Sequence, residues 1–314
     1  MLTTPVIRCL KNQVAGAEVH FLTKRSFAQI LESNPYIDKL HVLEEDINVC
    51  IHTLKAEKFD FIIDLHHNLR TLRVKRALKV KSFSFDKLNI EKWLFTALKI
   101  NRLPTIHIVD RYMATLSFWG VKNDGKGLDY FIPETHKVPP EQIPTTHRNG
   151  YIGLVIGAAL ATKKLPESKL AEFCKLLSHP VMLLGGPEDK EVAERLAEND
   201  PNLFNACGKF NLNQSADLVR KAKLVITHDT GLMHIAAAFC RPIISIWGNT
   251  VPQFGMGPYY PETSIAPTRV FEVNDLPCRP CSKIGFKNCP KGHFDCMVRQ
   301  NLPEIAVTAK KFFL

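Results

Sequence analysis

The stretch that decides the fold is Leu224-Val225-Ile226-Thr227 followed by His228-Asp229-Thr230-Gly231-Leu232-Met233-His234. Its first four residues predict a short strand, and the apolar run from Leu232 to Phe239 predicts a helix. In an open α/β sheet, such a turn lies at the carboxyl end of the strand, where ligands bind. Thr230 and the free amides at the helix start favour an anion, so the stretch predicts a phosphate site. For Asp229 or Thr230 taken alone, a simple helix cap is the alternative.

Short apolar runs alternate with helix-period segments along the whole chain, which is typical of βαβ units with parallel sheets. In the first half the predicted strands are 18–22, 39–43, 59–65 and 82–85, and the predicted helices are 5–13, 26–33, 47–57 and 67–78. In the second half the strands are 151–156, 181–184, 224–227 and 242–247, and the helices are 167–178, 188–198, 214–221 and 231–239. The predicted fold class is α/β, with two Rossmann-like, doubly wound domains.

The proline-containing segment from Pro133 to Gly150 shows no periodicity and is interpreted as an interdomain linker. We therefore expect a first domain over residues 1–135, a linker over 136–150, a second domain over 151–300 and a terminal helix over 301–314. Pro5 at a favourable first helical position, after Thr4 as cap, predicts that the described sequence opens with a helix. A doubly wound domain normally opens with a strand, so either the first domain lacks its first strand or it is built differently.

Composition excludes several classes of protein. A chain of 314 residues with 45% hydrophobic and 23% charged residues is typical of a globular protein with two packed cores. No apolar run approaches the ~20 residues that a membrane span needs. Because Met1-Leu2-Thr3-Thr4-Pro5 has neither a basic nor an apolar leader pattern, the expected location is the cytoplasm.

The formal net charge is +10, and most of the excess lies between Leu69 and Arg102. That segment contains ten basic residues and two acidic ones; the basic residues are Arg70, Arg73, Lys75, Arg76, Lys79, Lys81, Lys87, Lys92, Lys99 and Arg102. Such a segment suits an anionic partner, either a nucleic acid, a membrane surface or a phosphorylated acceptor, and a solvated helix face is the alternative. Since no nucleic-acid-binding motif surrounds it, no nucleic-acid partner is expected.

Two further loops follow predicted strands of the second half. Gly157-Ala158-Ala159-Leu160-Ala161-Thr162-Lys163-Lys164 offers small residues for close approach to a ligand and an ammonium for a phosphate. Glu188 and Asp189 follow the next strand, where a carboxylate can accept hydrogen bonds from ribose hydroxyls, or can serve as a first-turn helix acid.

Nine cysteines are present, and four of them, Cys278, Cys281, Cys289 and Cys296, lie within nineteen residues. Their spacing, C-x2-C-x7-C-x6-C, lacks the second compact pair of zinc ribbons and fingers. A structural zinc site, a reduced loop and a labile disulfide all stay open. The other five are spaced like reduced, buried thiols.

Together these segments resemble glycosyltransferase family 9, the ADP-heptose:lipopolysaccharide heptosyltransferases, over nearly the whole chain. The similar segments are Leu2-Thr3-Thr4-Pro5, Asp64-Leu65-His66-His67-Asn68-Leu69-Arg70, Ala161-Thr162-Lys163-Lys164-Leu165-Pro166, Asp229-Thr230-Gly231-Leu232-Met233-His234, Gly257-Pro258-Tyr259 and the cysteine-rich run. The resemblance implies a GT-B fold, in which two Rossmann-like domains face each other across a cleft. It also implies inverting transfer of a heptose from ADP-heptose to a lipopolysaccharide inner-core acceptor, without a metal or another cofactor.

The resemblance also implies roles for individual residues. Thr162 and Lys163 would contact the donor diphosphate, Thr230 and Gly231 would bind phosphate, and Asp229 would hold sugar hydroxyls. Leu232, Met233 and His234 complete the donor loop, to which Asp189 is added from its place after a strand. Asn68, Arg70 and Arg73 are expected to bind a phosphorylated lipid A core at the inner face of the cytoplasmic membrane.

The general base is the point at which the sequence departs from the family. Family members carry it as an aspartate in a Ser-x-x-Gly-Asp-like turn before the Leu-Thr-Thr-Pro segment, which here would fall before Met1. No carboxylate matches it, and Asp64 is only a distant substitute, so the catalytic residue is unassigned. A transferase using another nucleotide-sugar and a donor-binding protein with little activity are the alternatives, whereas a nicotinamide dehydrogenase is disfavoured because no G-x-G-x-x-G follows a strand.

Overall fold

A computed structural model describes residues 1–313 of the chain. Its strands are β1 (His20–Lys24), β2 (Lys39–Leu43), β3 (Phe61–Asp64), β4 (Lys81–Ser84), β5 (Ile152–Val155), β6 (Val181–Leu184), β7 (Leu203–Asn205), β8 (Leu224–His228), β9 (Ile243–Trp247) and β10 (Thr268–Glu272). Its α-helices are α1 (Thr4–Gln13), α2 (Arg25–Ala28), α3 (Ile47–Ala56), α4 (Leu69–Leu78), α5 (Asn89–Leu98), α6 (Ile108–Met113), α7 (Glu167–Leu176), α8 (Lys190–Ala197), α9 (Leu212–Lys221), α10 (Gly231–Ala238), α11 (Asp295–Val298) and α12 (Leu302–Phe313).

The second half is built on one six-stranded parallel sheet in the order β10-β9-β8-β5-β6-β7. Every residue of β5, β6, β8 and β9 is buried, because helices cover both faces of a parallel sheet. The order changes direction around β5 and β8, which places the loops after these two strands at the point where α/β sheets bind ligands. The predicted α/β class with a parallel sheet is confirmed for this half.

The first half contains two separate parallel pairs, β1 with β2 and β3 with β4. Within residues 1–313, β1 pairs with β2 alone and β3 pairs with β4 alone, so the other edge of β1 and of β3 has no strand partner. Both strands line a cavity of about 440 Å³, together with Thr3 at the start of α1 and side chains from α3 and α4. An open slot therefore lies between the two pairs.

Several local predictions need correction. The helix expected over 26–33 is a single turn, α2, and two further strands, β7 and β10, were not predicted, nor were α5 and α6. β7 has only three residues and β10 is mostly exposed, so neither gives a long apolar run. α5 has no buried residue, which is why its periodicity carries little signal about packing.

Residues 133–150 form three short 3-10 turns that pack against the second half. The Val138 amide donates to Asp217 on α9 at 2.9 Å, and the Lys221 ammonium donates to the Val138 carbonyl at 2.5 Å. His147 is buried and its Nε2 lies 3.1 Å from the Val181 carbonyl. This segment is thus an ordered connection.

The terminal helix α12 buries Leu302, Ile305 and Ala309 in the core of the second half, and Phe313 contacts His179. Leu314, the last residue of the predicted terminal helix, lies outside the described residues. No helix among residues 1–313 is long and apolar enough to cross a membrane.

Candidate functional site

The turn between β8 and α10 presents a helix N-terminus to open space. Thr230 is the cap residue in an extended conformation, but its side chain accepts no hydrogen bond from the helix. Its hydroxyl instead lies 3.1 Å from the Thr227 hydroxyl. A Cβ added at Gly231 would meet no atom within 4 Å. The amides of the first turn therefore stay available to an anion that approaches along the helix axis.

Lys163, from the loop after β5, reaches across to this turn. Its ammonium lies 2.6 Å from Oδ2 of Asp229, and the Thr250 hydroxyl donates to the same oxygen at 3.0 Å. Both members of the ion pair are largely shielded from solvent. One cation and one carboxylate thus meet in front of the α10 N-terminus.

Lys164 and Asp189 form a second ion pair behind the first. The Lys164 ammonium lies 2.9 Å from Oδ1 of Asp189, and Oδ2 of Asp189 accepts the Gly186 amide at 3.1 Å. The loops are so close that a Cβ on Gly157 would lie 2.2 Å from the Asp189 carboxylate. Asp189 therefore joins the loops after β5 and β6.

Two histidines support the same loops. The Leu165 amide donates to Nε2 of His228 at 3.1 Å, which ties the lysine loop to the end of β8. Burial and the nearby Lys164 charge lower the pKa of His228 to about 4. Burial, with the nearby amino terminus, His107 and Lys163, lowers the pKa of His234 to about 3, so both imidazoles are neutral near pH 7.

The side chains of the remaining predicted donor residues hold a loop in place or pack in the core. The Thr162 hydroxyl donates to the Phe286 carbonyl at 3.0 Å and accepts the Phe286 amide at 2.8 Å, so it anchors the cysteine-rich loop. Met233 packs in the core behind the α10 N-terminus, and Leu232 is half-buried beside it. Thr250 and His228 were not singled out for donor contacts by sequence reasoning, because a threonine and a buried histidine carry no distinctive spacing.

The predicted acceptor residues lie at the start of α4. Asn68 caps α4 by accepting the Thr71 amide at 3.0 Å, whereas Arg70 and Arg73 are exposed. Asp64 is buried and pairs with Lys75 at 2.8 Å. Although burial opposes it, the Lys75 ammonium and the His67 amide lower the pKa of Asp64, so this carboxylate is held as an anion in a structural role.

A cluster of cations that spans both halves was not predicted as a site. Burial, together with the charges of Arg111, Lys283 and Lys87, lowers the pKa of Lys92 to about 8. Lys283 belongs to the cysteine-rich loop, in which a Cβ on Gly285 would lie 3.5 Å from the Lys163 side chain, so the cluster adjoins the turn between β8 and α10. The cluster thus contains four cations, and Asp86 is the acidic group that partly offsets them. Such a surface attracts anions.

The four clustered cysteines are free thiols, and Cys296 is buried. The Cys281 thiol donates to the Cys278 carbonyl at 3.0 Å. Among the described residues, one group of three metal-ligating side chains has its ligand atoms within 4.8 Å of one another, and it consists of His20, His41 and Glu57. It includes no cysteine. The cysteine geometry therefore does not form a compact metal-binding group.

Comparison with known proteins identifies relatives of this architecture. The sequence model of glycosyltransferase family 9 (heptosyltransferase) matches residues 48–286. Lipooligosaccharide heptosyltransferase 2 of Haemophilus influenzae is 29% identical over 217 residues, which are 63% of this chain and 63% of that protein. Lipopolysaccharide heptosyltransferase 1 of Campylobacter coli is 28% identical over 271 residues, covering 78% of this chain and 79% of that protein.

Solved structures agree with the fold. The glycosyl transferase family 9 protein from Veillonella parvula superposes with a TM-score of 0.78 at 25% identity, covering 99% of this chain and 93% of that chain. An E. coli heptosyltransferase with ADP gives a TM-score of 0.69 at 20% identity, covering 99% of this chain and 95% of that chain. The two-domain arrangement predicted from the sequence is thus shared with these proteins.

Proposed function

This chain belongs to glycosyltransferase family 9, and we propose that it transfers a heptose from ADP-heptose to a lipopolysaccharide inner-core acceptor. The names of its relatives supply the sugar and the acceptor class. The similar E. coli structure with ADP supplies the nucleotide. The observation that carries the proposal is the pairing of Lys163 with Asp229 in front of the uncapped α10 helix.

The donor turn matches what a sugar diphosphate requires. Free amides at the α10 N-terminus and the Lys163 ammonium supply positive potential for the two phosphates. When the diphosphate takes Lys163 as its partner, the carboxylate of Asp229 becomes free to accept hydrogen bonds from sugar hydroxyls. The charge that develops on ADP as it leaves is stabilised by the same groups, so the transfer is proposed to proceed without a divalent metal or another cofactor.

The proposed reaction is a single inverting displacement. The acceptor oxygen attacks the anomeric carbon, the bond from that carbon to the β-phosphate oxygen breaks, and ADP leaves with the bonding electrons. A base takes the proton of the acceptor hydroxyl. Asp64 is a poor candidate because its two oxygens hold Lys75 and the amides of His66 and His67, so the base stays unassigned.

The cation cluster supports a phosphorylated acceptor. Lys87, Lys92, Arg111 and Lys283 lie together beside the donor turn, and Arg70 adds exposed charge on the α4 side. A lipid A core carries phosphates that such a surface attracts. We propose that the predicted acceptor residues Asn68, Arg70 and Arg73 lie at the edge of this surface, and that the cluster binds the phosphates closest to the reacting hydroxyl.

Helix α5 supports peripheral contact with the inner face of the cytoplasmic membrane. It contains no buried residue, and Ile90 and Trp93 are 71% and 59% exposed. An exposed apolar helix next to a basic cluster is the arrangement expected for binding at an anionic bilayer surface. In sedimentation with phosphatidylglycerol vesicles, the wild type should pellet with the vesicles, and Ile90→Ser/Trp93→Ser should stay in the supernatant. Equal fractions of the two proteins in the pellet would contradict this contact.

Nucleotide titration tests the donor assignment. ADP should raise the midpoint of thermal unfolding more than UDP or GDP at equal concentration. Stabilisation by UDP without stabilisation by ADP would overturn ADP-heptose as the donor and favour a transferase for another nucleotide-sugar. Release of ADP from ADP-heptose in the presence of a heptose-free core acceptor tests transfer itself. ADP binding without release would favour a donor-binding protein.

A further inference from the structure

A trio of metal-ligating side chains lies in the first half, far along the chain from the donor turn. His20 begins β1, His41 lies within β2, and Glu57 follows the last turn of α3. Their ligand atoms all lie within 4.8 Å of one another. From this geometry we propose that His20, His41 and Glu57 bind one divalent transition metal ion of the zinc class, which joins β1, β2 and α3.

The distances fit a tetrahedral ion. Nδ1 of His20 lies 3.1 Å from Nε2 of His41, and the Glu57 carboxylate lies 3.8 Å from the first nitrogen and 4.0 Å from the second. Zinc bonds of about 2.0–2.1 Å at tetrahedral angles separate neighbouring ligand atoms by roughly 3.3–3.4 Å. A movement of a few tenths of an ångström therefore brings all three atoms to the ion.

The hydrogen bond on the far side of His20 sets its tautomer. Nε2 of His20 lies 3.0 Å from the Glu18 carboxylate, which only accepts hydrogen bonds. Nε2 thus carries the proton, and Nδ1 accepts a hydrogen bond from Nε2 of His41 at 3.1 Å; the metal ion replaces the proton of that bond, which leaves to solvent. A carboxylate behind a ligating imidazole is the common arrangement in zinc proteins, where it orients the ring and raises its basicity.

Ring packing holds the two imidazoles of the trio in place. His20, His41 and Phe59 pack ring to ring, with His20 and Phe59 at 5.2 Å, and this packing limits rotation of both imidazoles. The rings are therefore held before any ion arrives.

The two oxygens of Glu57 face different partners. Oε2 lies 3.8 Å from Nδ1 of His20, whereas Oε1 lies 4.0 Å from Nε2 of His41 and 2.5 Å from the Lys39 ammonium. In the described part of the chain Oε2 has no cation partner and is therefore the oxygen offered to the ion. His20 and His41 line the 440 Å³ cavity between the strand pairs, which provides an entry path and room for a water as fourth ligand. Two imidazoles and one carboxylate favour zinc, cobalt or nickel over magnesium or calcium, which prefer all-oxygen sites.

Titration with ZnCl2 tests the site. Zinc should bind with one-to-one stoichiometry and raise the midpoint of thermal unfolding, and MgCl2 at equal concentration should not. Co2+ should give the visible absorption of a tetrahedral ion. His41→Asn and Glu57→Gln should each weaken zinc binding at least 10-fold, and Glu18→Gln should weaken it by about 10- to 100-fold through the orientation of His20.

Matched control variants distinguish loss of a metal ligand from loss of a neighbouring ion pair or of other thiols. Lys39→Gln breaks the same ion pair as Glu57→Gln but keeps the ligand, so it should retain zinc binding. Cys278→Ser/Cys281→Ser removes the competing thiols and should also retain it. The proposal is overturned if zinc produces no stabilisation of the wild type. It is equally overturned if stabilisation survives in both His41→Asn and Glu57→Gln, or is lost in the cysteine variant.

Discussion

The ammonium of Lys163 lies 2.6 Å from the carboxylate of Asp229, whereas that of its neighbour Lys164 lies 2.9 Å from Asp189. The first pair faces the open end of α10, and the second joins two loops behind it. We expect Lys163→Met to weaken ADP binding by about 10- to 100-fold, because a charge-assisted contact with a phosphate is worth about 1.5–3 kcal/mol. Isothermal titration with ADP measures this loss.

Lys164→Met is the matched control, since it removes the same charge one position along. It leaves the buried Asp189 without its cation, so it should lower the midpoint of thermal unfolding more than Lys163→Met does. It should affect ADP affinity less. Equal losses of ADP affinity in both variants would show that the two lysines do not divide these roles.

His228 gives the folded protein a sensitivity to mild acid. Its pKa is lowered to about 4 by burial, with a contribution from Lys164, against about 6.5 in an unfolded chain. The unfolded state therefore binds more protons between pH 6.5 and pH 4, and the free energy of unfolding should fall as pH falls through this window. One such group contributes at most about 1.4 kcal/mol per pH unit.

Urea unfolding at a series of pH values checks this prediction. His228→Gln should flatten the dependence of the unfolding free energy on pH between 6.5 and 4. His52→Gln, on the exposed side of α3, should leave the dependence as it is in the wild type. An unchanged slope in His228→Gln would show that this histidine is not the group responsible.

The sequence predicted the strand and the helix on either side of the β8–α10 turn because this pattern is local. A strand, a Thr-Gly pair and an apolar helix in succession predict both the position of Thr230 at the helix start and the free amides beyond it. The pairing of Lys163 with Asp229 joins residues 66 positions apart, and it follows from the carboxyl ends of neighbouring strands meeting at one edge. The strand alternation predicted that meeting.

The sequence alone could not predict which side chains from distant elements contact one another. Lys92 lies near Lys283 because the cysteine-rich loop packs beside the end of α5, where Lys99 donates to the Cys278 and Pro280 carbonyls, and no periodicity encodes this contact. His20 and His41 come together through the register of β1 with β2, in which Leu22 pairs with His41. The sequence directed attention to four clustered cysteines as metal ligands, because their spacing along the chain is visible, whereas the compact trio is assembled by strand pairing.

Arg8 is expected to dominate the stability of the first half. Its side chain is 2% exposed and its guanidinium holds Asp124 through two bonds of 2.8 Å, contacts Asp129 and donates to the Gly127 carbonyl. Arg8→Met leaves two acidic groups without their cation and should cost about 3–5 kcal/mol of unfolding free energy. Arg25→Met breaks an exposed pair with Glu44 and should change stability little.

The Arg8 effect should also depend on pH with a defined sign. The hydrogen bond from Arg8 lowers the pKa of Asp124 to about 2, so its contribution is complete above about pH 4 and is lost as pH falls towards 2. The difference in unfolding free energy between wild type and Arg8→Met should therefore shrink over that interval. A difference that stays constant would mean that Asp124 is not the group through which Arg8 acts.

The slot between β1 and β3 should accept a parallel strand. Both edges carry unpaired backbone groups, and burial lowers the pKa of the Met1 amine beside α1 to about 6. Five β-branched residues joined to Met1 through a connector of about two to six residues, the usual length of a βα loop, should fill the slot and raise the midpoint of thermal unfolding. Amides of β1 and β3 should exchange with solvent more slowly.

The control for this extension replaces alternate strand residues with proline. Its length and connector are the same, and it also converts the Met1 amine into an amide, but proline cannot donate to a ladder. Any gain that comes from removing the buried charge appears in both proteins, so only the difference between them measures strand pairing. Equal midpoints and equal exchange rates would show that the slot does not bind a strand, and that β1 and β3 are stable as separate edges.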